Sequence, residues 1–215
     1  DERRPAAFGS SNNDDYTAAY AGAGYRDATW QLTNRIEYRH SDTDDKWTFM
    51  SGFEQRLNDT NSLAGRILHF DQTMQGGQKN RSSELGVSVA HRPLGNSWIW
   101  LNRTRLIFDA LSDSLGQQQG KRIVNNTHVN NTFGYQHQLS LQYGAKYVLD
   151  TIDSQRFKGY SDLIAAEYRY DITPQWDVGT RASTLASYNS GVRSSAFGVM
   201  AGYSPVKNLW ISLGY

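Results

Sequence analysis

Cysteine is absent from the 215 residues. Its absence excludes a disulfide framework, thiolate metal sites and thiol catalysis. It also suits an oxidising compartment, where a stray thiol is a hazard. An excess of one charge is missing too, with 22 Lys and Arg against 21 Asp and Glu. A nucleic-acid binder would carry a basic surplus, so nucleic acid is not expected as a partner. No run approaches the about 18 consecutive apolar residues of a membrane helix. Proline is scarce, at 4. The chain shows neither an initiator methionine nor a signal-like segment. We therefore expect a mature fragment of a longer product.

What is present is alternation. In Gln138–Asp150, the residues Leu139, Leu141, Tyr143, Ala145, Tyr147 and Leu149 share one parity, and Ser140, Gln142, Gly144 and Lys146 the other. A period of two is a strand with one apolar and one polar face. The stretch is longer than the usual strand of a soluble protein and matches a tilted strand that crosses a bilayer. A chain that crosses in this way escapes the test for long apolar runs, because only alternate residues face lipid. The aromatic load of 13 Tyr, 6 Trp and 8 Phe fits strands and interfacial girdles.

The unit recurs along the chain. After a polar segment at 1–15, strands are expected over 16–25, 28–40, 46–57, 62–70, 82–92, 97–109, 123–135, 138–150, 160–170, 176–187, 194–203 and from Asn208 onward. That makes about twelve strands and no helix. Connections fall into two sets. The turns at Arg26-Asp27, Asn58–Asn61, Pro93–Asn96, Gln136-His137, Asp171–Gln175 and Ser204–Lys207 are short. The loops at Ser41–Asp45, Asp71–Arg81, Ala110–Arg122, Thr151–Gly159 and Tyr188–Arg193 are mostly longer and more polar. Bacterial barrels show this alternation, with short periplasmic turns and longer extracellular loops. The expected fold is a single all-β domain over 1–215, an antiparallel up-and-down transmembrane β-barrel. A soluble β-fold of the lipocalin kind is the competing reading.

The whole chain resembles the Gram-negative outer-membrane β-barrels. Its end, Tyr203–Tyr215 (YSPVKNLWISLGY), resembles a late strand of barrels that close large repeat-bearing surface proteins. Such barrels finish on one further strand with a terminal aromatic residue. By the short-turn rule the first strand runs toward the periplasm and the last runs outward. One more strand is expected at each end, giving a complete barrel of about twelve to fourteen strands. The resemblance implies residence in the outer membrane of a Gram-negative bacterium, among its lipid and lipopolysaccharide. It also implies an N-terminal passenger or plug, or other envelope subunits, as partners.

The polar parities carry Arg35, Glu37, Arg39, Glu54, Arg56, Arg66, Glu84, Arg103, Arg105, Lys146, Glu167, Arg169 and Arg181. Charge is costly in lipid, so this face is expected to line the lumen. One reading is a lumen braced by Arg–Glu pairs across neighbouring strands. The other is a cationic lining that selects anions, since nine of the thirteen are basic. The aromatics Trp30, Trp47, Trp98, Trp100, Trp176, Trp210, Tyr38, Tyr168 and Tyr203 suit the membrane interfaces, apolar on one side and hydrogen-bonding on the other. Stacking on a sugar in the lumen is the alternative use of such rings.

The histidines His40, His69, His91, His128 and His137 single out no nucleophile, and no G-x-S-x-G motif is present. No enzyme is expected. The acidic run Ser41–Asp45 lacks the spacing and glycine of an EF-hand loop. Gly76-Gly77 precedes no helix and is no phosphate cradle. Neither a metal nor another cofactor is expected.

Overall fold

The computed structural model describes residues 15–95, 97–114 and 116–215. Twelve antiparallel strands follow one another in a single sheet in the order of the sequence. They are β1 (Tyr16–Arg26), β2 (Trp30–Ser41), β3 (Asp44–Arg56), β4 (Asn61–Met74), β5 (Lys79–His91) and β6 (Trp98–Ser112), then β7 (Gln117–Phe133), β8 (His137–Ile152), β9 (Gln155–Asp171), β10 (Trp176–Ser187), β11 (Val192–Val206) and β12 (Leu209–Gly214). Every strand pairs with its sequence neighbour, the topology of an up-and-down barrel wall. The described residues contain no helix. The expected segment 1–15 lies outside them apart from Asp15, and Asn96 of the expected Pro93–Asn96 turn does so as well.

The two expected classes of connection do not exist. Asp71–Arg81 and Ala110–Arg122 are not long loops. β4 runs on to Met74 and β5 starts at Lys79, while β6 reaches Ser112 and β7 starts at Gln117. Thr151–Gly159 closes in a two-residue turn, Asp153-Ser154, in which both residues have positive φ (47° and 70°). That is the type I′ geometry, whose twist matches the flanking strands. The cause of the difference is physical. Gln117, Gln118 and Gln119 offer no alternation, so their sequence resembles a loop. Yet each is paired in the ladder to β6, and a ladder in water does not need an apolar face. The strands therefore project as polar hairpins at this end.

Ser154 pays for its left-handed backbone without glycine's freedom. Ser154→Gly is expected to raise stability by roughly 0.5–1 kcal/mol. Denaturant unfolding of the refolded protein measures it, and Gly191→Ala, at φ 66°, should shift the midpoint the other way.

The other end is built by side chains that fold the backbone locally. Asp27 Oδ1 accepts the amides of Thr29 at 2.7 Å and Trp30 at 2.6 Å. Asn58 Oδ1 accepts those of Thr60 and Asn61. Thr173 Oγ1 accepts those of Gln175 and Trp176. These are Asx and Ser/Thr turns. The backbone amides hold Asp27 below the usual carboxylate range.

The sheet is one layer thick and has no core. Its accessible surface is 15326 Å² for 24.3 kDa, against roughly 10,000 Å² for a compact monomer of that mass. Ala165 is the sole buried apolar residue among the described residues. Leu141, Ile164, Phe197 and Leu213 stand exposed at 46%, 55%, 72% and 81%. β1 and β12 do not touch among the described residues, so the sheet has two open edges.

Candidate functional site on the charged face of the sheet

Register sorts the side chains. Following the pairs from Arg35 and Glu54 through Arg66, Glu84 and Arg103 to Lys146, Glu167 and Arg181 keeps one parity throughout. All thirteen charged residues expected on the polar parity share one face. The opposite face carries Leu32, Phe53, Ile67, Val87, Leu106, Leu141 and Val199. Among the described strand residues, charge occurs on that apolar face only toward the polar-hairpin end, at Asp45, Asp71, Lys79, Arg81, Lys121, Arg156, Lys158, Asp162 and Arg193.

Eight of the nine expected aromatics lie on the apolar face. Trp210 does not. It alternates with Leu209 and Ile211, and its indole Nε1 donates to Asp177 Oδ2 at 2.9 Å on the charged face. Toward the capped turns, Trp176 stacks on Tyr203 with ring centres 4.4 Å apart, and His137 stacks on Phe133 and Tyr170. Toward the hairpins, Tyr38 packs on Trp47 at 4.6 Å and Tyr160 on Tyr188 at 5.2 Å. Two aromatic belts therefore bound the apolar face.

The belt toward the capped turns runs obliquely to the register. The row of paired residues that begins at Trp30 reaches β10 at Thr184, whereas Trp176 lies eight positions nearer the turn. That is a drift of about one residue per strand, as a strand tilt of about 40° requires. Along β8 the apolar residues extend from Leu139 to Leu149. At that tilt they span roughly 25 Å, the height of a lipid-facing band.

The charged face is braced, but through aspartates absent from the expected set. Arg39 pairs with Asp44 at 2.6 Å, and Asp44 also accepts from Ser41 and Gln72. Arg122 pairs with Asp109 at 3.0 Å, and Arg169 with Asp177 at 2.8 Å. The expected Arg–Glu ladder is sparse by comparison. Arg35 pairs with Glu37 of its own strand at 2.6 Å, and Arg56 with Asp59 in the adjoining turn. Glu84 faces Arg103 and Arg105 at 3.7 Å each, too far for hydrogen bonds. No salt bridge joins Glu54, Arg66, Lys146, Glu167 or Arg181 to another described residue. The bracing aspartates were accessible to the parity argument, since they sit on the same face. Asp44 falls in the segment Ser41–Asp45 that reads as a loop, whereas Asp109 and Asp177 stand at the ends of the expected strands 97–109 and 176–187.

Midway along the strands, polar groups behave differently on the two faces. On the apolar face they pair sideways: Ser51 with Asn34 at 2.7 Å, His69 with Ser83 at 2.8 Å, and Thr184 with Ser195 at 2.7 Å. Asn102 and Asn125 donate to Thr127 and Thr104 at 2.7 Å, in the middle of the band. On the charged face, Asn126, His128 and Gln142 of the same strands make no side-chain hydrogen bond among the described residues.

Beyond the belt toward the hairpins, His40 Nδ1 meets Asp45 Oδ1 at 2.6 Å. That bond, then the Asp45 charge, raises the imidazole above its ordinary 6.5. The pair strengthens the hairpin fully below 6.5, and the contribution fades as pH rises through the raised value. A proton-NMR titration should place the His40 midpoint above 6.5, and Asp45→Asn should bring it down.

No family model and no curated protein matches the sequence. Solved structures do match its fold. The siderophore receptor PirA from Pseudomonas aeruginosa superposes with a TM-score of 0.77 at 8% identity, over 94% of this chain and 41% of that one. The alcaligin outer-membrane receptor FauA from Bordetella pertussis gives 0.66 at 14% identity, over 90% and 40%. The outer-membrane channel DcaP of Acinetobacter baumannii gives 0.61 at 11% identity, over 91% and 62%. The chain has the fold of an outer-membrane β-barrel wall, and it spans less than two thirds of the length of each of these proteins.

Proposed function

We propose that this chain is the transmembrane wall of a Gram-negative outer-membrane β-barrel, which anchors a larger surface or transport protein or forms its plugged or gated pore. The carrying observation is the partition of the two faces. A coreless sheet with its charges on one side, and with large apolar residues on the other between two aromatic belts, needs lipid on one side and water on the other. The sideways pairing of polar groups on the apolar face supports the same orientation, because a polar group in hydrocarbon must find its partner within the protein. The polar hairpins of β6–β9 face outward and the capped turns face the periplasm. In lipid the open edges of β1 and β12 would leave backbone groups unpaired, each at a cost of several kcal/mol. Further strands of the whole protein pair with them and close the barrel. Partners in this reading are lipid and lipopolysaccharide, with a passenger, a plug or another envelope subunit.

Because these 215 residues have no cysteine, an introduced pair meets no competing thiol within the sheet. With Ala21→Cys on β1 and Ile211→Cys on β12, the whole protein should form no disulfide between them. Efficient cross-linking would mean direct closure by twelve strands.

The basic excess on the charged face favours a second reading, an open diffusion channel for small polar or anionic solutes. Planar-bilayer recording separates the two. A braced or plugged barrel is silent at rest, whereas steady anion-selective current overturns the first reading.

A further inference from the structure

On the charged face of β4–β8 lies a cavity of about 370 Å³, within the roughly 300–1,000 Å³ of small-molecule pockets. Two neighbouring register rows build it. One runs Ser88, Arg103 and Asn126, and the other runs from Ser62 to His128 and Gln142. Ala64 and Ala90 keep its floor low. None of the six polar residues hydrogen-bonds another side chain among the described residues. The nearest acid to Arg103 is Glu84, 3.7 Å away and shared with Arg105. Two guanidinium groups thus face one carboxylate, and the balance is positive.

We propose that this basin binds a small organic anion, a phosphate or carboxylate carried on a hydroxylated body. The Arg103 fork takes the anionic group, because planar N–H pairs match two oxygens of either one. Ser62, Ser88, Asn126, His128 and Gln142 supply donors and acceptors along the two rows, with Ser88 and Asn126 on the strands either side of Arg103. Each can do so because it has no competing bond. The contrast with Asn102, Asn125, Thr104 and Thr127 is direct. Midway along β6–β8 the polar groups pair sideways on the lipid side and stand open on the water side, whereas nearer the capped turns Asn130 accepts from Gln138 and Ser140 on the water side as well. The proposal rests on the charged face being the wetted one, but not on the barrel conducting.

The test is isothermal titration of the whole protein in detergent micelles with three probes: glucose 6-phosphate, glucose and inorganic phosphate. Glucose 6-phosphate is expected to bind and to weaken with added salt, with phosphate weaker and glucose weakest. Arg103→Gln should weaken glucose 6-phosphate about tenfold or more, the scale of a charge-assisted pair. Arg103→Lys should keep part of the affinity. Gln142→Ala should lower affinity for glucose 6-phosphate while leaving inorganic phosphate unchanged. This second variant keeps the site testable if Arg103→Gln does not refold. Equal binding of glucose and glucose 6-phosphate, or no change on either substitution, would overturn the site. A silent bilayer recording would not, so the two proposals fail separately.

Discussion

Leu141→Arg is expected to destabilise the refolded protein by roughly 2–4 kcal/mol, and Gln142→Arg by far less. The two residues are adjacent in the chain and differ only in the face they present. Leu141 is exposed on the apolar face, paired with Val129 and Ala166, within the band between the belts. A guanidinium there has no water and no acid within reach, and the nearest charge on that face stands toward the hairpins. Gln142 lies opposite, between His128 and Ala165, where Arg103 already stands nearby. Reversible unfolding in phospholipid vesicles would measure both. Equal costs would show that the two faces see the same solvent, and the orientation would fall with that result.

The period-two pattern survived into the structure wherever one side of a strand meets lipid. Leu139–Leu149 of β8, Leu85–Val89 of β5 and Leu209–Leu213 of β12 alternate in the sequence and in the sheet, because a one-residue slip would carry every side chain to the wrong face. The pattern faded where both sides meet water. In Gln117–Arg122 and Asp153–Lys158 neither parity is apolar, so sequence reasoning placed loops where the ladder continues. The same cause hides Asp44, the partner of Arg39, and Arg122, the partner of Asp109, since both fall in segments that read as loops. Trp210 was missed for a different reason. An aromatic near a strand end suits a belt, but the bulge at Ser204-Pro205, where β11 gains a residue on β12, and the alternation with Leu209 and Ile211 set its ring on the charged side. The basin around Arg103 needed the register itself, since its residues come from five strands and share no motif.

The short strand β12 depends on one buried carboxylate. Asp177 has a side chain 12% exposed and accepts from Arg169 Nε of β9 at 2.8 Å and from Trp210 Nε1 of β12 at 2.9 Å. The Arg169 guanidinium lies over the indole, 4.8 Å from its centre. Trp210 reaches Asp177 across β11 because Gly202, opposite Asp177, has no side chain. A Cβ at Gly202 would collide with both the carboxylate and the indole nitrogen. Asp177→Ala leaves the Arg169 charge and the indole N–H without their acceptor. Its expected cost is about 2–4 kcal/mol, below the range for a fully buried pair because Arg169 keeps 29% of its exposure. Asp177→Asn should cost less, since its carbonyl oxygen still accepts from one donor. Gly202→Ala should cost a similar amount, and the double variant little more than either alone, because both break the same contact. Hydrogen exchange should localise the loss. Amides of β12, paired to β11 over only a few residues, should lose protection in both single variants while β6–β8 keep theirs. Additive costs, or unchanged protection in β12, would mean that the Asp177 cluster does not hold the strand.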